Sequence, residues 1–373
     1  MPLKPCVRTI RSRQTMLLHS DLWLDQPDAH DRIDARGASG ALTATEAEQL
    51  HGLVDNGYIK LPLGLDKAFC DALDDEIAAL WEQRPADLAV SPFLGRPTSF
   101  PDYDGPVRAR GYRLPDLHGH SERALDLYLH PALFRVVELI FDEPALAFQS
   151  LYFEYGSSQG LHRDPMFVAT RPVSNLCAAW IALEDITADS GPLAYVPGSH
   201  RMPWYEFEPG TVVCGKHVSR ERRDTFAAWQ RERMRELGLE RQAFTCRRGD
   251  VFIWHGWLVH GGEAIQDPER TRKSFVVHYS TAANYKSRTA RMKVRDLDGL
   301  RTVAARTETI VERDGARGLD SPFVGSRGPA APKPENARRL ARLAGLAERV
   351  NPWSGRRTLG SRSGRKAHRN ESA

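Results

Sequence analysis

A chain of 373 residues, 41% hydrophobic and 27% charged, has the make-up of an ordinary globular protein and the length for one large domain or two small ones. A formal net charge of +4 is too small to argue for a nucleic-acid partner, and there is no run of about eighteen apolar residues to form a membrane-spanning helix. Five cysteines (Cys6, Cys70, Cys177, Cys214 and Cys246) are scattered without a C-x-x-C pair, which excludes a disulfide framework or zinc ribbon and fits reduced thiols in a cytoplasm.

Lys4, Arg8, Arg11 and Arg13 precede the first acid, Asp21, and Met16-Leu17-Leu18 is too short an apolar stretch for a secretory signal. Residues 1–42 show little periodicity and read as an N-terminal extension, with order beginning at Thr43. Thr43 and Glu46 form a capping box, Leu50, Leu53 and Val54 share one helical face, and Asn56-Gly57 ends the helix. Tyr58 to Leu61 reads as a short strand closed by Pro62. A second amphipathic helix starts near Asp66 and buries Phe69, Leu73, Ile77 and Leu80. Residues 85–118, rich in Pro, Gly and Asp, read as loops. Ser121 opens a helix that His130-Pro131 interrupts, and Pro131 suits the first turn of the next, with Leu133, Val136, Val137 and Ile140 as its core face.

Beyond Ala147 the pattern turns to short β-rich runs, at residues 148–155, 166–170, 175–183, 193–196, 250–259 and 273–279. Helices followed by many short strands predict an α+β fold with a mainly β core, an antiparallel sandwich or jelly roll flanked by helices. An insertion at 202–248 carries a charged helical piece around Ser219 to Leu237. Residues 286–373 form a C-terminal extension. In it, Asn336 to Val350 can form a helix with Leu340, Leu343 and Leu346 on one side, and the basic stretch from Gly355 to Ala373 reads as disordered.

Chemistry concentrates at three places. His162 and Asp164 lie two apart, and in an extended segment their side chains point to one side. His260, in a later β-rich run, completes two histidines and one carboxylate, the facial set that leaves metal positions open for a bidentate 2-oxo acid and for O2. An H-x-D triplet is a weak signal by itself in a chain with 13 histidines. Arg272 strengthens it: a buried guanidinium one strand downstream can take a distal carboxylate bidentately, and Ser274 shares its face. Arg270, the rival cation, lies in the Asp267-Pro268-Glu269 turn.

The order of these motifs resembles the phytanoyl-CoA dioxygenase (PhyH) family of Fe(II)/2-oxoglutarate oxygenases. The resemblance runs through His162-Arg163-Asp164, the strand Ala178 to Asp185, Ser190-Gly191-Pro192-Leu193, Val196-Pro197-Gly198-Ser199-His200, Gly249-Asp250 with His260-Gly261-Gly262, and Arg272-Lys273-Ser274. It implies a double-stranded β-helix over residues 43–285, iron held by His162, Asp164 and His260, 2-oxoglutarate anchored by Arg272, and Trp180 lining the co-substrate pocket. Gly262 stands where the family commonly has Ser or Thr, and the spacing from His260 to Arg272 is one residue longer than the family pattern.

Other polar residues read more plainly. His255 has the wrong parity to join His260 and reads as packing or substrate-lining, His200 as a turn residue, His278 as a core histidine, and Cys177 as core. Gln159 is a candidate contact to substrate or co-substrate. The expected reaction is hydroxylation of a small molecule at an unactivated C–H bond, with Fe(II), 2-oxoglutarate and O2 as cofactor and co-substrates and succinate and CO2 as products. Asp164 argues against a halogenase, in which halide takes the carboxylate's place. The insertion's Lys216, His217, Arg220, Arg222, Arg223, Arg231 and Arg233, near Trp204, Tyr205, Phe207 and Trp229, could favour an anionic or carrier-linked substrate; balanced by Glu221, Asp224, Glu232 and Glu236, they fit a solvated helix face better. Two other readings stay open: a catalytically silent barrel acting as a binding or assembly module, and nucleic-acid association through the tail from Arg356 to Arg369.

Overall fold

The computed structural model describes residues 20–92, 97–108, 110–157, 159–168, 170, 172–207, 212, 214, 218–281, 284, 310–313 and 316–319. In chain order, a 3-10 turn over Trp23–Asp25 leads into α1 (Ala29–Ala38), α2 (Ala44–Asn56), β1 (Tyr58–Pro62) and α3 (Lys67–Gln83). Three short strands, β2 (Ala89–Pro92), β3 (Thr98–Ser99) and β4 (Tyr112–Pro115), precede α4 (Glu122–Tyr128) and α5 (Pro131–Phe141). The barrel strands are β5 (Ala145–Phe153), β6 (Cys177–Ala182) and β7 (Leu193–Tyr195). After α6 (Arg220–Glu236) they continue with β8 (Gln242–Phe244), β9 (Asp250–His255), β10 (His260–Gly262) and β11 (Ser274–Thr281). A hairpin of β12 (Ile310–Arg313) and β13 (Ala316–Leu319) follows.

Local signals set the helix ends. Thr43 accepts the Glu46 amide while Glu46 accepts the Thr43 amide, closing the capping box of α2. Gly57 ends α2 at φ +82°, where a Cβ would sit 2.5 Å from His200 Nδ1. Ser121 caps α4, and Pro131 opens α5 with His130 as its cap.

The large sheet runs β1-β9-β6-β11-β5-β4-β2-β3, each pair antiparallel, and β13 joins β5 in parallel through Gly318 and Ala147. A small sheet, β10-β7-β8, faces it. Leu151, Phe153, Trp180, Phe252, Trp254 and Val276 from the large sheet pack with Leu193, Tyr195 and Phe244 from the small one in a single core. The fold is a double-stranded β-helix, with α4 and α5 packed behind β11. Register aligns Ala182, Ser274, Phe153 and Arg113 in one row across β6, β11, β5 and β4, and Trp254, Ala178, His278 and Gln149 in another. Side chains alternate by two, so both rows face the core.

Several expectations need correction. Order begins before Thr43: Leu22, Trp23, Leu24 and Ile33 are buried, and the Trp23 indole donates to Leu139 O at 3.1 Å. That segment is held by tertiary packing, which leaves no periodic trace in so short a stretch. Residues 85–118 contain β2, β3 and β4, because edge strands need few apolar residues. In the run expected at 166–170, residues 166–168 are not in a strand, since the chain there forms and leaves a 3-10 turn over Asp164–Met166. The run at 250–259 breaks after His255, where the chain turns and crosses to the small sheet as β10. Residues 310–313 and 316–319 add a pair of antiparallel strands within the C-terminal extension. The predicted helix 336–350 and the basic tail lie outside the described residues, as do Cys6, Lys216 and His217.

Candidate metal centre

His162 lies in no regular strand. It forms one antiparallel bridge with His260, the first residue of β10: His162 N–H donates to His260 O at 2.8 Å, and His260 N–H to His162 O at 3.0 Å. Arg163 is extended (φ −124°, ψ 134°), and Asp164 starts the 3-10 turn. One extended residue is enough to bring the side chains of His162 and Asp164 to the same side, although the expected strand is absent. The glycine after His260 is required by packing. A Cβ on Gly261 would lie 2.7 Å from Gln159 O, whose carbonyl also accepts the Gly262 N–H at 2.9 Å.

The ligand atoms converge. Asp164 Oδ1 is 3.7 Å from His162 Nε2 and 3.5 Å from His260 Nε2, and the imidazole centroids are 4.4 Å apart. Among the described residues, this is the cluster of three metal-ligating side chains whose donor atoms all lie within 4.8 Å of one another. Backbone carbonyls select the tautomers. His162 Nδ1 faces Gly160 O at 2.9 Å and His260 Nδ1 faces Leu258 O at 3.1 Å, so each Nδ1 carries its proton and each Nε2 keeps a free lone pair. The carboxylate is oriented in the same way: Trp254 Nε1–H donates to Asp164 Oδ2 at 2.7 Å, and Oδ1 is left toward the imidazoles. His278 Nε2 stands 3.8 Å from Oδ2.

Burial pushes the His162 imidazole down to about 4, helped by the neighbouring His260, so it is neutral near pH 7. Burial would raise Asp164, but His260, His278, His162 and the Trp254 hydrogen bond together hold it below the usual carboxylate value. Two imidazole nitrogens and an ionised oxygen with fixed orientations fit a divalent metal such as Fe(II).

A second polar group lies along the β11 end. Arg272 N–H donates to Glu154 O at 2.7 Å, and the side chain is 2% exposed with its guanidinium 5.8 Å from the Trp180 ring. It forms no ion pair among the described residues, and its Nε has no acceptor. Burial pushes the guanidinium down to about 10, still cationic at neutral pH. Ser274 Oγ and Trp180 Nε1 are also buried without partners. Gly156, at φ +66°, makes room: a Cβ there would overlap Arg272 Nε. A buried cation beside unpaired donors fits the far carboxylate of 2-oxoglutarate. Arg113 is a further cation on the inner face, half-buried, with its Nε unpartnered. The acids nearby are used on the outer face, where Glu154 and Asp74 pair with Arg108, and Asp74 also with Lys273.

The remaining candidates separate. The Gln159 backbone carbonyl accepts the Gly262 N–H at 2.9 Å, next to the triad. His255 Nε2 meets Asp25 Oδ2 at 3.2 Å, and His200 Nε2 donates to Val54 O at 3.1 Å, so both brace the barrel away from the triad. Cys177 is core. His278 faces the metal side, and it and Trp254 flank Asp164 without a local sequence motif to mark them; inward parity shared with Ser274 is the sequence signal for His278. On α6, Arg233 pairs with Glu236 and Arg235 with Glu232, as expected of a solvated face.

The sequence model of the phytanoyl-CoA dioxygenase (PhyH) family matches residues 53–274, more than half of the chain. The chain belongs to the phytanoyl-CoA dioxygenase family. It is 26% identical over 180 residues to phytanoyl-CoA dioxygenase domain-containing protein 1 of Mus musculus, covering 45% of this chain and 56% of that protein. It is also 26% identical over 185 residues to the 1-deoxypentalenic acid 11-beta-hydroxylase of Streptomyces arenae, covering 46% and 61%. The chain thus spans little more than half the length of these curated relatives. The crystal structure of the non-heme alpha ketoglutarate dependent carbocyclase SnoK from nogalamycin biosynthesis superposes with a TM-score of 0.48 at 20% identity, covering 65% of this chain and 86% of that one.

Proposed function

We propose that this member of the phytanoyl-CoA dioxygenase family is an Fe(II)- and 2-oxoglutarate-dependent oxygenase that hydroxylates an unactivated C–H bond of a small molecule. The overall reaction takes substrate, 2-oxoglutarate and O2 to hydroxylated substrate, succinate and CO2. One observation carries the reading: His162, Asp164 and His260 converge with their free donor atoms on one point, in the same core as a buried guanidinium that has no acid partner among the described residues.

His162, Asp164 and His260 would hold the metal, leaving its remaining positions for the co-substrate and O2. When bound, Fe(II) with 2-oxoglutarate supplies the activation of O2 needed to attack an unactivated C–H bond. Arg272 holds the distal carboxylate of 2-oxoglutarate, Ser274 adds a hydrogen bond, and Trp180 packs beside the guanidinium. Arg113 supplies a second positive charge to the chamber and suits the dianionic co-substrate. Leu151, Phe153 and Val276 line the same inner face and exclude water from it. The Phe167 ring, 53% exposed, stands edge-on to His162 at 5.6 Å and offers an apolar wall for a substrate beside the metal.

The test is anaerobic titration of the apo-protein with Fe(II) and then 2-oxoglutarate, following the visible charge-transfer band. A band in the wild type that is lost in Asp164→Ala and His260→Ala is expected. A folded wild type with iron present and no band overturns the reading.

A further inference from the structure

The segment that carries two of the three metal-binding side chains meets the sheets at few points. Gln159 and His162 bond to β10, the Trp254 indole of β9 reaches Asp164 Oδ2, and the backbone bonds of the 3-10 turn at Asp164 are local. The insertion adds two clasps. Gln230 of α6 donates from Nε2 to Leu161 O at 3.2 Å, and Cys214 N–H donates to Met166 O at 2.8 Å. Met166 itself packs among Phe207, Val218 and Phe226.

Between these two clasps stands Arg163. Its neighbours His162 and Asp164 point to the metal side, so its own side chain points to the insertion. It is 1% exposed, and Nη1 donates to Pro203 O at 2.9 Å. The guanidinium lies 5.7 Å from the ring of Trp229 on α6 and 5.9 Å from that of Trp257 in the turn before His260. Trp204, from the start of the insertion, stacks on Trp257 at 4.2 Å. No acid pairs with Arg163 among the described residues, and Nε and Nη2 are buried without partners. A buried cation without a counter-ion costs stability unless something specific requires it there. The Pro203 carbonyl and aromatic faces on two different segments are what hold it.

We infer that Arg163 is a positioning residue that fastens the ligand-bearing segment to α6 and to the turn before His260, so that the three metal-binding side chains converge only while the insertion is docked. The inference goes beyond the proposed oxygenase activity and rests on the metal assignment. Coupling of this kind is reciprocal: if docking of α6 favours metal binding, metal binding favours docking of α6 by the same factor.

The test uses the full chain and Co(II), which is stable in air and reports ligand geometry in its visible spectrum. Arg163→Met is expected to weaken Co(II) binding by about 10- to 100-fold and to alter the spectrum, with Arg163→Lys between it and the wild type. Trp229→Leu, which touches no metal-binding side chain, is expected to weaken binding in the same direction. In the wild type, saturating Co(II) should slow tryptic release of α6 peptides by roughly fivefold or more, and Arg163→Met should remove that protection. A purely structural Arg163 gives a different pattern, with faster proteolysis in the variant at any Co(II) level and wild-type Co(II) affinity. That pattern overturns the inference, as does a wild type whose α6 cleavage ignores Co(II). Should Arg163→Met fail to fold, Trp229→Leu and the wild-type proteolysis decide. A wild type that binds no Co(II) refutes the metal site itself and the inference with it, whereas loss of the 2-oxoglutarate band alone touches only the oxygenase reading.

Discussion

Trp254→Phe isolates the hydrogen bond that aims the carboxylate. Trp254 is 2% exposed on β9, its indole packs 4.5 Å from the His260 ring, and its N–H reaches Asp164 Oδ2 at 2.7 Å. Phenylalanine keeps the ring in the core and deletes the donor. Asp164 Oδ2 then has His278 Nε2 at 3.8 Å, beyond hydrogen-bond distance, and the carboxylate is free to turn away from the imidazoles. A hydrogen bond to a charged group contributes about 1.5–3 kcal/mol, which converts to roughly 10- to 100-fold in Fe(II) affinity. The same range is found when an outer partner of a metal ligand is removed, about 10- to 100-fold. The assay is anaerobic Fe(II) titration with 2-oxoglutarate in excess, after thermal melting has shown the variant to be folded. Wild-type affinity in a folded Trp254→Phe protein would show that Asp164 needs no orienting donor, and would refute the argument.

Gly156→Ala should weaken 2-oxoglutarate binding by about tenfold or more while Fe(II) binding is retained, because the new Cβ overlaps Arg272 and strains a backbone at φ +66°; anaerobic calorimetry checks both affinities, and an equal loss of the two would contradict it. Arg272→Leu should cost about 2–5 kcal/mol of 2-oxoglutarate affinity. The same variant should raise the melting temperature of the apo-protein, since it removes a buried charge that has no ion pair among the described residues; an unchanged or lower midpoint counts against that account. Burial pushes His200 down to about 3 from its ordinary 6.5, with the charge of His255 lowering it further and that of Asp25 opposing. Between these values the unfolded chain binds a proton that the folded one does not, so stability is present above pH 6.5 and declines as pH falls toward 3. His200→Gln should flatten that acid limb in urea titrations, and a limb as steep as the wild type's would assign it elsewhere.

The β-rich runs and the helix caps were legible because each is a local signal: alternation by two, or a capping side chain three residues from its partner. The triad was legible by pattern, although its geometry has another origin than a strand; a single extended residue, Arg163, gives the same parity. What could not be read depends on contacts between distant segments. Trp23 is buried by Leu139 and its neighbours, and nothing in its own surroundings announces it. Trp254 and His278 come to Asp164 from β9 and β11, which only the strand register brings together. Arg113 was hidden because a short strand among prolines and glycines resembles a loop.

The tautomers of His162 and His260 are set by carbonyls of their own chain, and Asp164 by an indole, before any metal arrives. Loading therefore requires little reorganisation, and a lost ion can be replaced without unfolding. The same readiness extends to other ions. Two imidazoles and a carboxylate do not select iron by affinity, since along the first-row divalent series copper and zinc bind such donors more tightly. Selection would fall to the open coordination geometry and to metal supply, and mismetallation is a failure to which such a site would be open.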